Sequence, residues 1–548
     1  MPGTPCRNRP GTTSDPGLKP MAEPERAEDR SFANEAVRGS IWTTAQVAVS
    51  KAGAAAATFF LGFLLQPSEF GVAWFAISAG GLATGLHVLA ALDVLIASPR
   101  GFRRNAGAVQ LMALVTAVTE LVVVAALGFV MSSIYPERTG LLALMLVVAV
   151  RPLVDAANVL PMAKMRLQLE YPRLAALDGI STLAGSLGSI AMAYGGFGAM
   201  SIVLPPIAAT ALRAALYWWQ TGPFVRDWSA GPRRNVLRAR FLTATFGSYV
   251  SGVLLILDTT ILGVLVSPTS LGLFAFASGI ATQINAMISY QIAGSLHPIF
   301  AHLRNDPERQ VEGLLRACRL IACILVPILF VQAAAAGPLF RAIWGTRWDD
   351  AVPVFMAISI GQSFAVCLWP ASFTLKAQGR FRGFLKLQIL QAAVSGVTCA
   401  AAAEFGGPIA AAVMGLVGRT CPPEAAAPLA VAMNGALLLA CFGPVTLWLA
   451  CRLMGTGLGA AVDVVVRPWV AAVPCALLAG WLTRMIEQEV PGRTTLVAAV
   501  AASAIASMLL GIAGAVALGR STRRDASHLV SRLASRMRRG RRQATVRN

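Results

Sequence analysis

Polar positions in this chain are sparse enough to act as punctuation. From Ile41 to Leu518, apolar runs follow one another, separated by short clusters rich in Arg, Lys, Asp, Pro and Gly. A helix of about 20 apolar residues crosses roughly 30 Å of hydrocarbon, and the runs here reach that length. Strands of a membrane barrel would alternate apolar and polar residues, and these do not. The pattern predicts an all-α protein, a polytopic membrane helix bundle of about fourteen transmembrane helices. Its expected spans are 41–65, 70–97, 106–131, 139–162, 174–195, 197–220, 240–265, 270–298, 314–337, 350–374, 384–405, 425–452, 467–486 and 494–519. The apolar piece from Gly407 to Val417 is too short to span alone. It is expected at the surface or as an extension of its neighbour.

One stretch is used twice. Leu61–Ala76 reads LGFLLQPSEFGVAWFA and Leu262–Ala277 reads LGVLVSPTSLGLFAFA, an offset of 201 positions. Leu61/Leu262, Gly62/Gly263, Leu64/Leu265, Pro67/Pro268, Gly71/Gly272, Phe75/Phe276 and Ala76/Ala277 are identical across it, and upstream Val49-Ser50 matches Val250-Ser251. Each copy is a helix end, a turn holding Pro and then Gly, and the start of a second helix. A duplicated helical bundle explains this most simply. The chain then divides into a disordered leader (1–38), a six-helix lobe (39–222), a linker (223–239), a second six-helix lobe (240–455), two further transmembrane helices (456–519) and a basic tail (520–548). Met21 stands beside Met1 as a second candidate start.

Charge orients the bundle. Alternate loops carry clusters such as Arg103-Arg104, Lys164 with Arg166, Arg233-Arg234 with Arg238 and Arg240, and Arg380 with Arg382. The intervening loops hold only Arg138, Arg341, Arg347, Arg419, Arg484 and Arg493. The positive-inside rule places the rich loops, and with them both termini, in the cytoplasm. The net charge of +20 is therefore a topology signal and predicts no nucleic-acid partner. In the tail, Leu529, Leu533 and Met537 recur at helical spacing among arginines. That is the pattern of an interfacial helix on anionic lipid, or of a solvated basic tail.

Composition excludes several classes. With 56% hydrophobic and 13% charged residues the chain is not soluble. Its nine cysteines contain no CxxC, and its four histidines are scattered, so neither a metal site nor a cofactor is expected. No HExxH, GxSxG or Walker-type loop occurs. Loops are too short for an outer catalytic domain, so no enzyme activity and no catalytic residue are expected. Small-residue stripes at Ser181/Gly185/Ser189 and Gly511/Ala515/Gly519 predict close helix packing. Prolines at 152, 205, 206, 327, 370, 444 and 474 predict kinks.

Several of these pieces together resemble a known family. Trp344–Pro353 (WGTRWDDAVP), Leu257-Asp258 followed by Ile261-Leu262-Gly263, the Asn305–Arg309 loop (NDPER), the Leu64–Gly71 turn and the basic segment from Pro161 to Arg173 resemble, in order and spacing, the bacterial polysaccharide (Wzx-like) transporters of the MATE/MOP flippase superfamily. Glu69 stands where the family pattern has Asp, and Asp93 ends the second span in a variant of it. The resemblance implies two lobes facing a central cavity. It also implies alternating-access transport of a polyprenyl-pyrophosphate-linked oligosaccharide or related polymer from the cytoplasmic to the periplasmic side. Polysaccharide polymerase or export machinery would be further partners.

Ionisable groups inside a bilayer cost on the order of 2.5–3.5 kcal/mol each and need a reason. Lys51, Asp93, Glu120, Arg151, Asp155, Arg213 and Asp258 fall within the expected spans. Lys51, Arg151 and Arg213 are the candidate cavity cations for a pyrophosphate. Asp93, Glu120, Asp155 and Asp258 are candidate ion-coupling or lobe-packing carboxylates. Arg151 and Asp155, four residues apart, can also neutralise each other, and His87 reads as a packing residue. Three alternatives stay open: a MATE-like ion-coupled drug or cation antiporter, a membrane-embedded glycan polymerase or ligase, and a non-transporting scaffold. A net cationic cavity favours the anionic lipid-linked sugar; a net anionic one favours a cationic drug.

Overall fold

The computed structural model describes residues 46, 50–84, 87–96, 102–222, 234–290, 292, 300, 303, 306–378, 381–416, 419–452, 458–489 and 493–518. The leader, residues 223–233 and the tail after Leu518 lie outside them, and with them the expectations of a disordered leader and an interfacial tail helix.

The described residues form an all-helical membrane bundle. The first lobe holds α1 (Ser50–Leu64), α2 (Pro67–Ala83), α3 (His87–Ile96), α4 (Phe102–Ile134), α5 (Leu141–Ala157), α6 (Val159–Leu167), α7 (Tyr171–Tyr194) and α8 (Met200–Thr221). The second begins with α9 (Arg234–Leu265), so the later part of the expected 223–239 linker is already helical. It continues with α10 (Pro268–Ala281, running on through Gln283–Asn285 into a π turn, Ala286–Tyr290), α11 (Pro307–Ala334) and α12 (Ala336–Trp344). Then come α13 (Val352–Ala365), α14 (Leu368–Ala377), α15 (Phe381–Phe405), α16 (Gly407–Leu416) and α17 (Pro423–Cys451). The last two helices are α18 (Leu458–Glu489) and α19 (Arg493–Leu518).

Twelve helical stretches among the described residues are long and apolar enough to span a membrane. The first two expected spans are realised as the shorter α1 and the α2–α3 pair. The piece at Gly407 is a separate short helix with Ile409 and Leu416 exposed, a surface element.

Breaks fall where the backbone needs them. The fourth span divides at Asn158, whose buried amide donates to the Val154 carbonyl at 2.9 Å. The tenth divides just before Pro370, which lacks an N–H and clashes with the preceding turn. Pro152, Pro205, Pro206, Pro327, Pro444 and Pro474 stay inside their helices. Ser181, Gly185 and Ser189 are all buried, and a Cβ on Gly185 would lie 2.8 Å from Ala209 of α8. α18 and α19 dock on α11: Gly511 faces Pro327, and Trp469 meets Phe330 edge-on at 4.7 Å.

Among the described residues, the most extensive helix–helix contact is between α2 and α10, the helices that carry the repeat. Pro opens each helix, where its missing N–H costs nothing. A Cβ on Gly71 would sit 1.7 Å from the Pro268 carbonyl, and one on Gly272 would sit 1.7 Å from the Pro67 carbonyl. Each copy therefore needs its glycine because the other copy's backbone lies against it. The same reciprocity holds at the ends of the preceding helices, where Gly62 of α1 faces Phe276 and Gly263 of α9 faces Phe75. Lipid supplies no hydrophobic drive between helices, so close backbone approach carries the association.

Candidate functional site

The two ends of the bundle are built differently. At the end bearing the arginine-poor loops, one core joins both lobes: Leu65, Phe70, Phe75, Leu262, Phe276, Phe340 and Trp348 belong to it. Trp348 stacks on Phe276 with ring centroids 3.8 Å apart, and Phe70 meets Trp348 edge-on at 5.3 Å. At the basic end the cores are separate. One combines α3, α4, α5 and α6 with Leu237 and Phe241 of α9; the other combines α11, α14, α17 and α18.

In the basic half of the first lobe, three helices bring their charges together. Arg213 on α8 lies 3.9 Å from Asp155 on α5 and 3.9 Å from Asp178 on α7. Arg151 reaches Asp155 from the same helix at 3.5 Å. Tyr217, fully buried, donates its hydroxyl to Asp178, and the Gln46 amide donates to the other Asp178 oxygen at 2.9 Å. Two arginines are thus matched by two aspartates, and the members differ in access. The Arg151 side chain is 59% exposed, that of Arg213 28% and that of Asp178 11%.

Further charges extend the chain of groups toward the second lobe. Arg166 on α6 acts electrostatically on Asp178 and on Asp93 of α3, and Lys376 of α14 acts on Asp93. Lys376 holds its ammonium over Phe373 and Phe384, 5.5 and 5.3 Å from the ring centroids. Along this chain four cations (Arg151, Arg166, Arg213, Lys376) face three carboxylates (Asp93, Asp155, Asp178).

The residues singled out in the sequence thus separate. Arg151, Asp155 and Arg213 meet in one cluster. Asp93 is exposed on α3 and belongs to its extension. Lys51 is half-buried beside the cluster and has no ion pair among the described residues, while its neighbour Ser50 faces Thr182 of α7 at 3.5 Å. Glu120 is buried on α4. Asp258 belongs elsewhere, inside the second lobe, where Ser395 and Cys399 of α15 act on it. The His87 side chain lies outside the described residues. Asp178, Tyr217, Gln46, Arg166 and Lys376 were not anticipated as site residues. Asp178 could have been, since it is an ionisable group inside the expected span 174–195. Its partners are set by tertiary contacts.

These features define a two-lobed, multi-pass helical membrane protein with an internal repeat at its seam and a polar cluster on one side of it. Residues 60–353, more than half of the chain and including both copies of the repeat, match the sequence profile of the polysaccharide biosynthesis protein family. The chain belongs to that family. It is 21% identical over 201 residues to the succinoglycan biosynthesis transport protein ExoT of Rhizobium meliloti (strain 1021), covering 36% of this chain and 40% of ExoT. It is 27% identical over 126 residues to the teichuronic acid biosynthesis protein TuaB of Bacillus subtilis (strain 168), covering 23% of this chain and 26% of TuaB. The matched segments thus span less than half of either curated relative.

The fold is shared with the lipid II flippase MurJ in an inward closed conformation (TM-score 0.59, 12% identity, 87% of this chain and 98% of that one). It is also similar to an inward-facing multidrug resistance MATE transporter of the MOP superfamily (TM-score 0.50, 11% identity, 75% and 99%).

Proposed function

We propose that this protein carries a polyprenyl-pyrophosphate-linked oligosaccharide, or a related polymer, from the cytoplasmic to the periplasmic leaflet of a bacterial inner membrane by alternating access. Family membership and the transport role of ExoT in succinoglycan biosynthesis support the substrate class. The observation that carries the reading is the cluster of Arg151 and Arg213 with their aspartates, the Arg151 side chain 59% exposed and free to meet an anion. A pyrophosphate brings about two negative charges, and arginines and lysines in a shielded site offset its desolvation. Arg151 is the most exposed cation of the cluster and makes first contact. Arg213, held between two aspartates, fixes the field behind it. Lys51, on the helix whose Ser50 faces α7, is the second candidate contact.

The basic loops and both termini face the cytoplasm in this reading. The basic tail meets anionic lipid, and a polysaccharide polymerase or export complex takes the product. The site does no bond-breaking chemistry.

The test is transport itself. Arg151→Ala and Lys51→Ala are expected to abolish surface polysaccharide in cells while the protein accumulates and inserts normally. Purified protein in vesicles should move a fluorescent polyprenyl-pyrophosphate oligosaccharide to the outer leaflet, and the two variants should not. Wild-type polymer from both variants, or proton- or sodium-driven efflux of a cationic dye in place of sugar movement, would replace this reading with the drug-antiporter one.

A further inference from the structure

The last carbonyls of a helix have no intrahelical partner and must be satisfied by something else. At the ends of α1 and α9 that something comes from the opposite lobe. Trp348 donates its indole N–H to the Gly62 carbonyl at 2.9 Å, and Arg347 donates to Phe63 at 2.6 Å and Leu65 at 3.4 Å. Across the seam, Arg138 donates to Gly263 at 2.6 Å and Val266 at 3.1 Å, and the Tyr135 hydroxyl donates to Val264 at 3.1 Å.

The acceptors are the same three positions of the repeat: Gly62, Phe63 and Leu65 in one copy, Gly263, Val264 and Val266 in the other. The donors are not repeat equivalents, since Arg138 and Arg347 lie 209 positions apart rather than 201. Two unrelated loops therefore make the same bridge. Each also covers the equivalent phenylalanine, with the Arg138 guanidinium 4.5 Å above Phe75 and the Trp348 ring stacked on Phe276.

We propose that Arg138 and Arg347 form a paired latch that holds the arginine-poor face shut, and that both halves release together when that face opens. The coupling is geometric. Gly71 and Gly272 clamp each other's neighbouring carbonyls, so the lobes cannot part at one half of the seam and stay joined at the other. The choice of acceptor suits a reversible closure. A guanidinium on neutral carbonyls at a helix C-terminus is held by dipole and hydrogen bonds. An arginine–carboxylate pair would bind more tightly. On opening, water replaces the bonds on both sides. The latch rests on the transport reading for its purpose, but its existence is a matter of conformation and is tested as such.

The test is hydrogen–deuterium exchange on the full-length protein in nanodiscs, following peptides that cover 61–68 and 262–269. Among the described residues, the hydrogen bonds of Arg347 go to the first of these segments. A coupled latch predicts that Arg347→Gln accelerates both several-fold, that Arg138→Gln does the same, and that Arg309→Gln changes neither. Arg309 is a charge-matched control, an exposed arginine at the basic end paired with Asp306.

Acceleration confined to the segment each arginine touches would reduce the latch to two independent helix caps and overturn the proposal. So would no acceleration in either. If the glutamine variants fail to accumulate, Arg347→Lys and Arg138→Lys, which keep the charge and lose the second donor, are read in the same way with smaller expected changes. Surface polysaccharide is scored separately. Coupled exchange in a protein that moves no lipid-linked sugar would keep the latch and remove the transport reading.

Discussion

The arginine-poor end and the basic end of this molecule are made from the same duplicated unit and solve opposite problems. At the first, both lobes pour large side chains into one core, and Arg138, Tyr135, Arg347 and Trp348 are spent on backbone carbonyls across the seam. At the second, the cores stay apart, and the ionisable groups gather in the first lobe with an extension toward Lys376. The difference is physical. Apolar packing seals whatever lies against it, whereas a charge inside a membrane needs a counter-charge or water. A protein that must be tight on one side and receptive on the other therefore separates the two kinds of residue along its axis. The steep asymmetry of arginine between alternate loops carries the same division into the aqueous ends.

Substitutions at the two ends should sharpen this contrast. The largest effect is expected from Gly71→Val or Gly272→Val, because the clash is with a backbone carbonyl that cannot rotate away. Overpacking of this kind costs about 1–3 kcal/mol and sometimes more, against a total stability of about 5–15 kcal/mol. Thermal unfolding in detergent should show a large drop and the yield of folded protein should fall. Gly247→Ala on α9, where nothing lies within 4 Å of the added carbon, should hold or slightly raise the midpoint. Wild-type melting of both valine variants would mean that the two copies of the repeat do not touch.

Next comes the pair Arg213→Ala and Arg151→Ala. Both should lose transport, but only the first should lose stability. Removing a partner from a buried ion pair costs about 3–5 kcal/mol; Arg213 retains 28% exposure, so solvent screening brings its loss below that range and below that of the valine variants. The side chain of Arg151 is 59% exposed and its removal should barely move the melting temperature. Equal melting curves for the two would remove the distinction between field-setting and contacting cations.

A smaller effect is expected from Tyr217→Phe, which deletes one donor to Asp178 and should cost about 0.5–1.5 kcal/mol. An unchanged melting temperature would show that Asp178 is served by Gln46 and Arg213 alone. The least effect is expected from Arg173→Ala, whose pair with Glu170 is exposed and is worth about 0–1 kcal/mol.

The sequence by itself determined a good deal. Apolar run length set the helical membrane class, since only a helix satisfies its own backbone in lipid. The repeat marked the two lobes, because a Pro and a Gly kept in register within a turn reflect a shared backbone requirement. The rule that charge inside a bilayer needs a reason picked out Arg151, Asp155 and Arg213 before they were seen to meet. That rule is blind to direction. It grouped Asp258 with Asp93, although one sits beside Ser395 and Cys399 in the second lobe and the other lies exposed within electrostatic reach of Lys376. Only the tertiary structure decided which helix faces bring distant charges within reach, and so joined Gln46, Asp178 and Tyr217 to the cluster. It also decided that the two copies of the repeat pack on each other, each glycine making room for the other's carbonyl. Contacts between residues hundreds of positions apart leave no mark on local hydropathy, and Arg138 and Arg347 therefore read along the chain as mere exceptions in arginine-poor loops.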